Sequence, residues 1–386
     1  MKPIYKVFTS LSLGIICLFS SCEEKANEVE EVIDATHAIQ TEKHLIKVDT
    51  LYTEFKNPWG MTWLDDGTML VTERSGEILL FKDDQFTGEK VSGLPDFYVK
   101  GQVGLMDITV HPNFSDNGWI YISYGKPMQD SLGATAIMRF RLEGNQATNQ
   151  EELIVTAPPW ETGRHYGSRI VFDNDNYLYF SNGERGNKPE NAQDLTNSHG
   201  KIHRIHDDGR IPNDNPFVGM EGAVSSIWTY GNRNPQGMVY DSENDRIWES
   251  EHGPMGGDEV NLIEKGKNYG WPVITYGQNY DGTPITDITE KEGMEQPVTY
   301  YVPSIATCGM TLVTSDRYPE WKGDLLIGAL AKMHINRVDL EGTDAMGQEI
   351  MFQDIGRVRD VEQSPDGYLY ALTEGTGLMV KFLPVN

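Results

Sequence analysis

The stretch WGMTWLDDGTMLVTERSGEILLF, residues 59–81, contains a short apolar segment, a turn rich in Asp and Gly, and two further apolar segments. Such turns between runs of aliphatic and aromatic residues are typical of short antiparallel strands. The same order recurs at 104–124, 167–183, 236–253, 309–330 and 358–382. Six units of this kind predict an all-β fold, a six-bladed β-propeller of four-stranded antiparallel blades.

A closed ring needs a strand that completes the last blade, because an open blade would leave an unpaired edge. The stretch HLIKVDTLYTEF at 44–55 precedes the first unit, and we expect it to supply this strand. The competing fold is a pair of stacked β-sandwiches, which six similar units disfavour.

The chain of 386 residues carries a formal net charge of −26 at pH 7. Nucleic acid and anionic lipid are not expected partners, since so acidic a surface repels both. Solubility alone would also explain this charge. Of the three cysteines, Cys17 and Cys22 lie in the N-terminal leader, so Cys308 has no partner for an internal disulfide.

The first 22 residues, MKPIYKVFTSLSLGIICLFSSC, have the pattern of a secretory signal peptide. Two lysines precede an apolar run that is too short to span a bilayer. The residues SSC at 20–22 resemble a bacterial lipoprotein cleavage site, at which Cys22 would carry the lipid. Residues 23–44 predict an acidic flexible tether, and residues 45–386 the propeller domain. We expect an exported protein, periplasmic or on the cell surface, that meets the membrane only through this anchor.

Antiparallel strands reverse direction at each turn, so the start of every first strand and the end of every second strand lie on one rim. Residues before first strands include Gln102, His165, Arg233, Asn234, Arg357 and Arg359. Residues after second strands include Glu73-Arg74, Glu184-Arg185, ESEHGP at 249–254 and GALAK at 328–332. A single such histidine or arginine is more often structural, but polar groups from several units predict a ligand-binding mouth on this rim.

Five motifs resemble those of the soluble pyrroloquinoline-quinone-dependent aldose dehydrogenases, the glucose/sorbosone dehydrogenases. They are GQVGLMDITVHPNF (101–114), RHYGSRIVF (164–172), YGNRNPQGM (230–238), SEHGPMGGDEVNLIEKGKNYGWP (250–272) and GRVRDVEQSPDGYLY (356–370). The resemblance implies oxidation of the C1 hydroxyl of an aldose to a lactone, by hydride transfer to Ca²⁺-bound pyrroloquinoline quinone (PQQ). The chain has no Cys-x-x-Cys-His haem motif, so electrons would pass to an external acceptor, a quinone or a cytochrome.

The family's catalytic roles are carried over to three residues that match its motifs. His165 matches the general base, and an imidazole titrates near the working pH. Glu184 matches the acid that fixes the histidine tautomer, and Arg233 matches the group that polarises the accepting carbonyl, where negative charge develops. The residues that match polar groups around cofactor and substrate are Gln102, Asn234, Arg357 and Arg359, and Lys332 is a further candidate for cofactor binding.

Two calcium sites follow from the same resemblance. The main-chain carbonyls of Gly253 and Pro254 match ligands of the ion that holds the quinone. A second, structural ion is expected on Glu259 with the carbonyls of Tyr269 and Tyr280. The glycines before Asp258 would form a tight turn in any case.

Lys332 departs from the family pattern. Members usually have a cofactor-binding lysine directly after the leucine of this motif, where the present chain has Ala331. Strand side chains alternate between faces, so a one-residue offset would turn the amine away unless a bulge restores it.

Two other functions remain open from the residues alone. A calcium-dependent propeller hydrolase, such as a lactonase, would need carboxylate and Asn ligands at the channel, but not Arg357 and Arg359. A non-catalytic propeller that binds a sugar or protein at the cell surface would not need His165 and Glu184 together.

Overall fold

The computed structural model describes residues 36–385, in which the strands form six antiparallel sheets. The first strand of each sheet packs beside the first strands of the neighbouring sheets, and these contacts close into a ring around a central channel. The sequence prediction of a six-bladed β-propeller with four-stranded antiparallel blades is confirmed.

The strands are numbered along the chain, and within each blade they follow one another from the channel outwards. The first three blades contain β3 (Pro58–Trp63), β4 (Met69–Glu73), β5 (Glu77–Lys82) and β6 (Gln85–Lys90); β7 (Leu105–Val110), β8 (Ile120–Pro127), β9 (Gly133–Glu143) and β10 (Gln146–Val155); and β11 (Ile170–Phe172), β12 (Tyr177–Asn182), β13 (Lys201–His206) and β14 (Ile227–Tyr230). The last three contain β15 (Pro235–Asp241), β16 (Arg246–Glu251), β17 (Asp258–Ile263) and β18 (Thr299–Tyr301); β19 (Thr307–Leu312), β20 (Leu325–Ala329), β21 (His334–Glu341) and β22 (Asp344–Met351); and β23 (Arg357–Gln363), β24 (Leu369–Glu374), β25 (Met379–Pro384), β2 (Leu45–Tyr52) and β1 (Ile39–Gln40).

The N-terminal part of the propeller closes the ring. β2 pairs antiparallel with β25, with Val48 opposite Phe382, as expected for the stretch 44–55. β1 adds a fifth strand outside β2, so regular pairing begins before residue 44, the predicted end of the tether. The predicted signal peptide, Cys22 and the tether up to residue 35 lie outside the described residues.

Apolar side chains fill the interfaces between neighbouring blades. Between the first and second blades, Leu70 and Leu80 pack with Ile122 and Phe140. Similar clusters lie between the other neighbouring blades. Full burial of one such side chain contributes about 1.5–3 kcal/mol, so these layers hold the blades rigidly together.

The rim predicted from strand alternation is present. Pro235 at the start of β15 pairs with Glu251 at the end of β16, and Arg357 at the start of β23 pairs with Glu374 at the end of β24. We call this end of the channel the mouth. Short helical segments accompany the strands, namely α1 (Phe114–Asn117) and 3₁₀ turns at Gln129–Ser131, Pro189–Gln193 and Pro319–Trp321. In the part of the chain that the structure describes, no helix has the length and apolar character needed to cross a membrane.

Candidate active site

His165 lies at the mouth, in an irregular segment that ends where β11 begins. Its φ is 52°, and φ is also positive at Gly167 (61°) and Ser168 (89°). A left-handed conformation at a non-glycine residue costs about 1–3 kcal/mol, and neighbouring groups must hold it. The His165 N–H donates to Gln102 Oε1 at 2.9 Å, and its carbonyl accepts from Arg185 Nη1 at 2.8 Å. These bonds fix the histidine on the rigid frame of the propeller.

Glu184, just after β12, orients the imidazole. The distance from His165 Nδ1 to Glu184 Oε1 is 2.7 Å. An ionised carboxylate only accepts hydrogen bonds, so Nδ1 carries the proton and Nε2 keeps its lone pair. Among residues 36–385, no group hydrogen-bonds to Nε2. The pair therefore offers a correctly oriented base to a ligand in the mouth.

The charges around this pair favour a neutral imidazole on an ionised carboxylate. Burial lowers the pKa of His165, and the charge of Arg233 lowers it further, while Glu184 opposes both effects. Burial alone would raise the pKa of Glu184, but the hydrogen bond with His165 and the charge of Arg233 hold it below its usual value. His165 is thus ready to accept a proton at neutral pH.

Arg233 and Asn234 precede β15, and their main-chain N–H groups both donate to Glu251 Oε2. Arg233 Nη1 donates to the carbonyls of His252 and Gly253, at 2.8 Å each. Its Nε is buried and has no hydrogen-bond partner among residues 36–385. The guanidinium is therefore held in place while one of its donors remains available.

Asn234 connects this segment to the histidine segment. Its Oδ1 accepts from the N–H of Gly167 at 3.2 Å. Gly183 permits this approach, because a Cβ there would lie 2.3 Å from the carbonyl oxygen of His165 and 2.7 Å from Asn234 Oδ1. No other residue fits at this position without moving the base.

Arg357 and Arg359 differ in their surroundings although both belong to the start of β23. The register shifts by one residue between Val358 and Asp360, so Arg359 sits in a bulge. A bulge breaks the alternation of faces. The Arg357 side chain is 47% exposed and that of Arg359 only 9%. The Arg357 side chain is therefore accessible at the mouth, whereas the Arg359 side chain is buried below it.

Arg359 is bound by two residues that the sequence analysis missed. Its Nε and Nη2 donate to Glu374 Oε1, at 2.8 and 2.6 Å, and its Nη1 donates to Gln236 Oε1 at 2.8 Å. The signal that could have identified Glu374 is its place at the end of β24, directly opposite Arg357. Both residues help to set where the guanidinium charge lies.

Lys332 lies in the turn at 330–333 after β20, not on a strand, so the alternation argument does not apply to it. It is exposed, and it lines a groove with Tyr300, His334 and Gln353. Arg357 and Arg359 do not line this groove. Arg357 Nη1 donates to the carbonyl of Leu330 at 3.1 Å, so the turn that carries Lys332 lies against Arg357.

A small cavity next to Arg233 contains residues of both expected calcium sites. Gly253 of the first set and Glu259 and Tyr269 of the second line it, together with Glu251. Residues expected to supply main-chain carbonyls and a carboxylate to calcium thus line one compact cavity.

Pro254 and Tyr280 do not line that cavity. The carbonyl of Pro254 accepts from Ser304 Oγ at 3.2 Å, and Tyr280 is 76% exposed. Within residues 36–385, no group of three or more His, Cys, Asp and Glu side chains has the arrangement of a metal site. An ion held in this cavity would need main-chain oxygens among its ligands.

Three glutamates crowd together on β16 and β17 beside the cavity. Glu251 pairs with Glu259, and Glu249 pairs with Asn261. Burial raises the pKa of all three, to about 8 for Glu259, and repulsion from Glu249 and Glu259 raises that of Glu251 further. In the described part of the chain, the buried atoms Glu249 Oε1 and Asn261 Oδ1 have no hydrogen-bond partner. Oxygen atoms of this kind are the ligands that Ca²⁺ prefers, so the donor set fits this cation.

The chain matches known sugar dehydrogenases over most of the propeller. The family model for Glucose / Sorbosone dehydrogenase matches residues 55–381. The Escherichia coli (strain K12) protein named aldose sugar dehydrogenase YliI is 39% identical over 348 residues, which are 88% of this chain and 94% of that protein. The crystal structure of the soluble aldose sugar dehydrogenase from Escherichia coli, in the apo-form, has a TM-score of 0.83 at 38% identity and covers 88% of this chain and 99% of its own. The PQQ-bound form of aldose sugar dehydrogenase from Streptomyces coelicolor has a TM-score of 0.72 at 26% identity and covers 90% of this chain and 100% of its own.

Proposed function

This chain belongs to the glucose/sorbosone dehydrogenase family and is a sugar dehydrogenase, and we propose that it oxidises the C1 hydroxyl of aldoses to lactones with PQQ and Ca²⁺. The electrons would pass to an external quinone or cytochrome. The single observation that carries this proposal is the His165–Glu184 pair, held at 2.7 Å beside Arg233 in the mouth of the propeller. The PQQ-bound relative supports the choice of cofactor.

The charges at the mouth fit an acidic quinone. PQQ carries three carboxylates, and guanidinium groups bind carboxylates through paired hydrogen bonds. Arg357 is half exposed, and Arg233 has a buried donor without a partner. Arg359 is already bonded to Glu374, so it would act mainly through its charge. Gln102 and Asn234 add amide groups on the same rim, and Lys332 adds an exposed amine in the turn whose Leu330 carbonyl accepts from Arg357 Nη1.

The residues of the mouth divide the chemistry among them. PQQ, when bound, supplies a carbonyl carbon that accepts the hydride from C1. His165 Nε2 takes the proton of the C1 hydroxyl, so that the lactone carbonyl can form. Glu184 then stabilises the imidazolium through its contact with Nδ1. Arg233 places positive charge near the oxygen on which negative charge develops.

We assign calcium to the segment that contains Gly253 and Glu259. The carbonyls of Gly253 and Pro254 would hold an ion near the quinone, and Glu259 with the Tyr269 carbonyl would hold a structural ion. The crowded carboxylates and the unpartnered Glu249 Oε1 support a cation in this segment. When bound, Ca²⁺ would act on the quinone as a Lewis acid.

Export and lipidation at Cys22 remain predictions from the leader sequence. The acidic tether from residue 23 would then separate the propeller from the membrane.

Reconstitution tests the proposed function. Purified protein incubated with PQQ and Ca²⁺ should reduce an electron-accepting dye when an aldose is added, and the sugar should appear as its lactone. Omission of PQQ should remove the activity. Hydrolysis of a lactone with Ca²⁺ alone would instead identify a hydrolase, and tight sugar binding without dye reduction would identify a binding protein.

The pH dependence of kcat/KM should report the state of His165. Only neutral imidazole accepts the proton, and its pKa is lowered, so activity should fall only as the pH drops below about 6.5, the usual histidine value. In Glu184→Gln the raising effect of the carboxylate is lost, so the acid limb should move to still lower pH. The rate should also fall at least about 100-fold, because an amide does not fix the tautomer. An acid limb that moves upward in this variant would contradict the assignment of Nδ1 to Glu184.

A further inference from the structure

The strands that surround the channel share an unusual feature just below the mouth. β3, β7, β15, β19 and β23 each have a one-residue register shift near the start, against the second strand of the same blade. Bulges re-aim side chains and are common next to active sites. The shifts fall at 59–60, 106–107, 236, 309 and 359, and these residues form one layer across the channel, which we call the bulge layer.

The third blade contributes Arg169 to this layer. Arg169 immediately precedes β11 and is 3% exposed. Its guanidinium contacts groups from four other blades. In the first blade the Trp59 ring is 4.3 Å from Cζ, and in the second blade Asp107 Oδ1 is 3.1 Å from Nη1. In the fourth blade the Gln236 carbonyl is 2.7 Å from Nε. In the sixth blade the Arg359 carbonyl is 3.0 Å from Nη2, and Asp360 Oδ1 is 2.7 Å from Nη1.

The fifth blade joins the layer through close backbone approach. A Cβ at Gly309 would lie 2.4 Å from the Cα of Asp360 and 2.7 Å from the carbonyl oxygen of Arg359. Cys308 lies 3.1 Å from Arg359 Nη1. Arg169 thus contacts four other blades directly, and the fifth blade reaches the layer through Arg359 and Asp360.

Arg169 also connects the histidine segment to Arg359. Gln236 Nε2 donates to the Gly167 carbonyl at 3.0 Å, and Gln236 Oε1 accepts from Arg359 Nη1. Gly167 lies two residues after His165 and two before Arg169. These contacts form a closed loop. Arg169 binds the Arg359 carbonyl, the Arg359 side chain binds Gln236, and Gln236 binds the Gly167 carbonyl, two residues before Arg169.

We propose that Arg169 is a positioning residue, which sets the base His165 and the cofactor-binding charge of Arg359 at fixed positions relative to each other. It acts through the main-chain oxygens of Gln236 and Arg359, which only a forked donor can bind at the same time as two carboxylates. Arg169 is 3% exposed and its hydrogen bonds go to protein groups, so we infer that it acts through the residues that it contacts. This proposal rests on the proposed function for its effect on catalysis, but its effect on the protein alone does not need a cofactor.

Arg169→Lys removes the forked guanidinium, which binds several oxygens at once, but keeps a positive charge at the buried position. We expect the half-saturating PQQ concentration, from quenching of tryptophan fluorescence, to rise about tenfold. We also expect the acid limb of kcat/KM to shift, and amide hydrogen exchange in the protein without cofactor to accelerate at residues 165–168 and 357–360. Arg337→Lys is the matched control, because Arg337 is equally buried and binds Asp324 and Glu349 away from the mouth. It should lower the melting temperature without any of the three effects.

Asp107→Asn is the second variant, in case Arg169→Lys does not fold. It keeps the volume, removes one buried negative charge and weakens one of the two carboxylate contacts of Arg169 Nη1, so the same changes are expected at smaller size. Exchange rates at 165–168 and 357–360 that match wild type in a folded variant would overturn the proposal. Wild-type protein that binds no PQQ would refute the proposed function instead, and the exchange measurement would still decide the role of Arg169.

Discussion

Replacement of His165 by asparagine is expected to lower dye reduction at least about a thousandfold, because the variant loses the nitrogen that takes the hydroxyl proton. Asparagine is the appropriate substitute, since it tolerates the left-handed backbone that His165 adopts at φ 52°. Its amide can also bond to Glu184. The mouth should keep its shape, and the affinity for PQQ should stay within about threefold of wild type.

His206→Asn is the control for this substitution. His206 ends β13 opposite Tyr177, at the other end of the strand from the mouth, so its loss should leave dye reduction unchanged. Steady-state kinetics and a PQQ titration by fluorescence separate the two outcomes. A folded His165→Asn protein that reduces dye at the wild-type rate, or one that no longer binds PQQ, would show that the base has been misassigned.

The ring and its mouth could be predicted from sequence because both depend on local rules. Each repeat has its own turn residues, and strand reversal alone places the ends of first and second strands on one rim. His165 and Glu184 followed from this rule and meet at 2.7 Å. The family resemblance then supplied roles for them.

The interior of the site could not be predicted, because it depends on the bulges. Arg357 and Arg359 are two residues apart and would share a face in a regular strand, but the bulge buries Arg359 against Glu374. Whether a bulge forms depends on contacts between blades that are distant in sequence. Arg169 illustrates the same point, since its partners Asp107 and Asp360 come from two other blades.

The crowded glutamates lead to the second large prediction, which is that chelation of calcium inactivates the enzyme and lowers its melting temperature by roughly 5–10 °C. Without a cation, burial and mutual repulsion hold the pKa values of Glu249, Glu251 and Glu259 above their usual range, so ionising these carboxyls costs free energy. A bound ion removes this repulsion and adds binding energy only to the folded state. Calorimetry with and without a chelator, followed by addition of Ca²⁺ or Mg²⁺, measures the effect. Mg²⁺ should not restore it, because it demands a smaller octahedral shell.

Glu259→Gln tests the proposed calcium ligand directly. Because the pKa of Glu259 is raised to about 8, glutamine replaces a largely neutral carboxyl at neutral pH, so with a chelator the variant should melt close to wild type. With Ca²⁺ it should be less stable than wild type, because one ligand is lost. Glu152→Gln, at an exposed pair with Lys126 in the second blade, should respond to calcium as wild type does. A wild-type protein shown by metal analysis to be free of calcium, yet with full activity and an unchanged melting temperature, would remove calcium from the proposed function. The assignment of His165 and Glu184 as the base would not be affected by that result, since their contacts involve neither β16 nor β17.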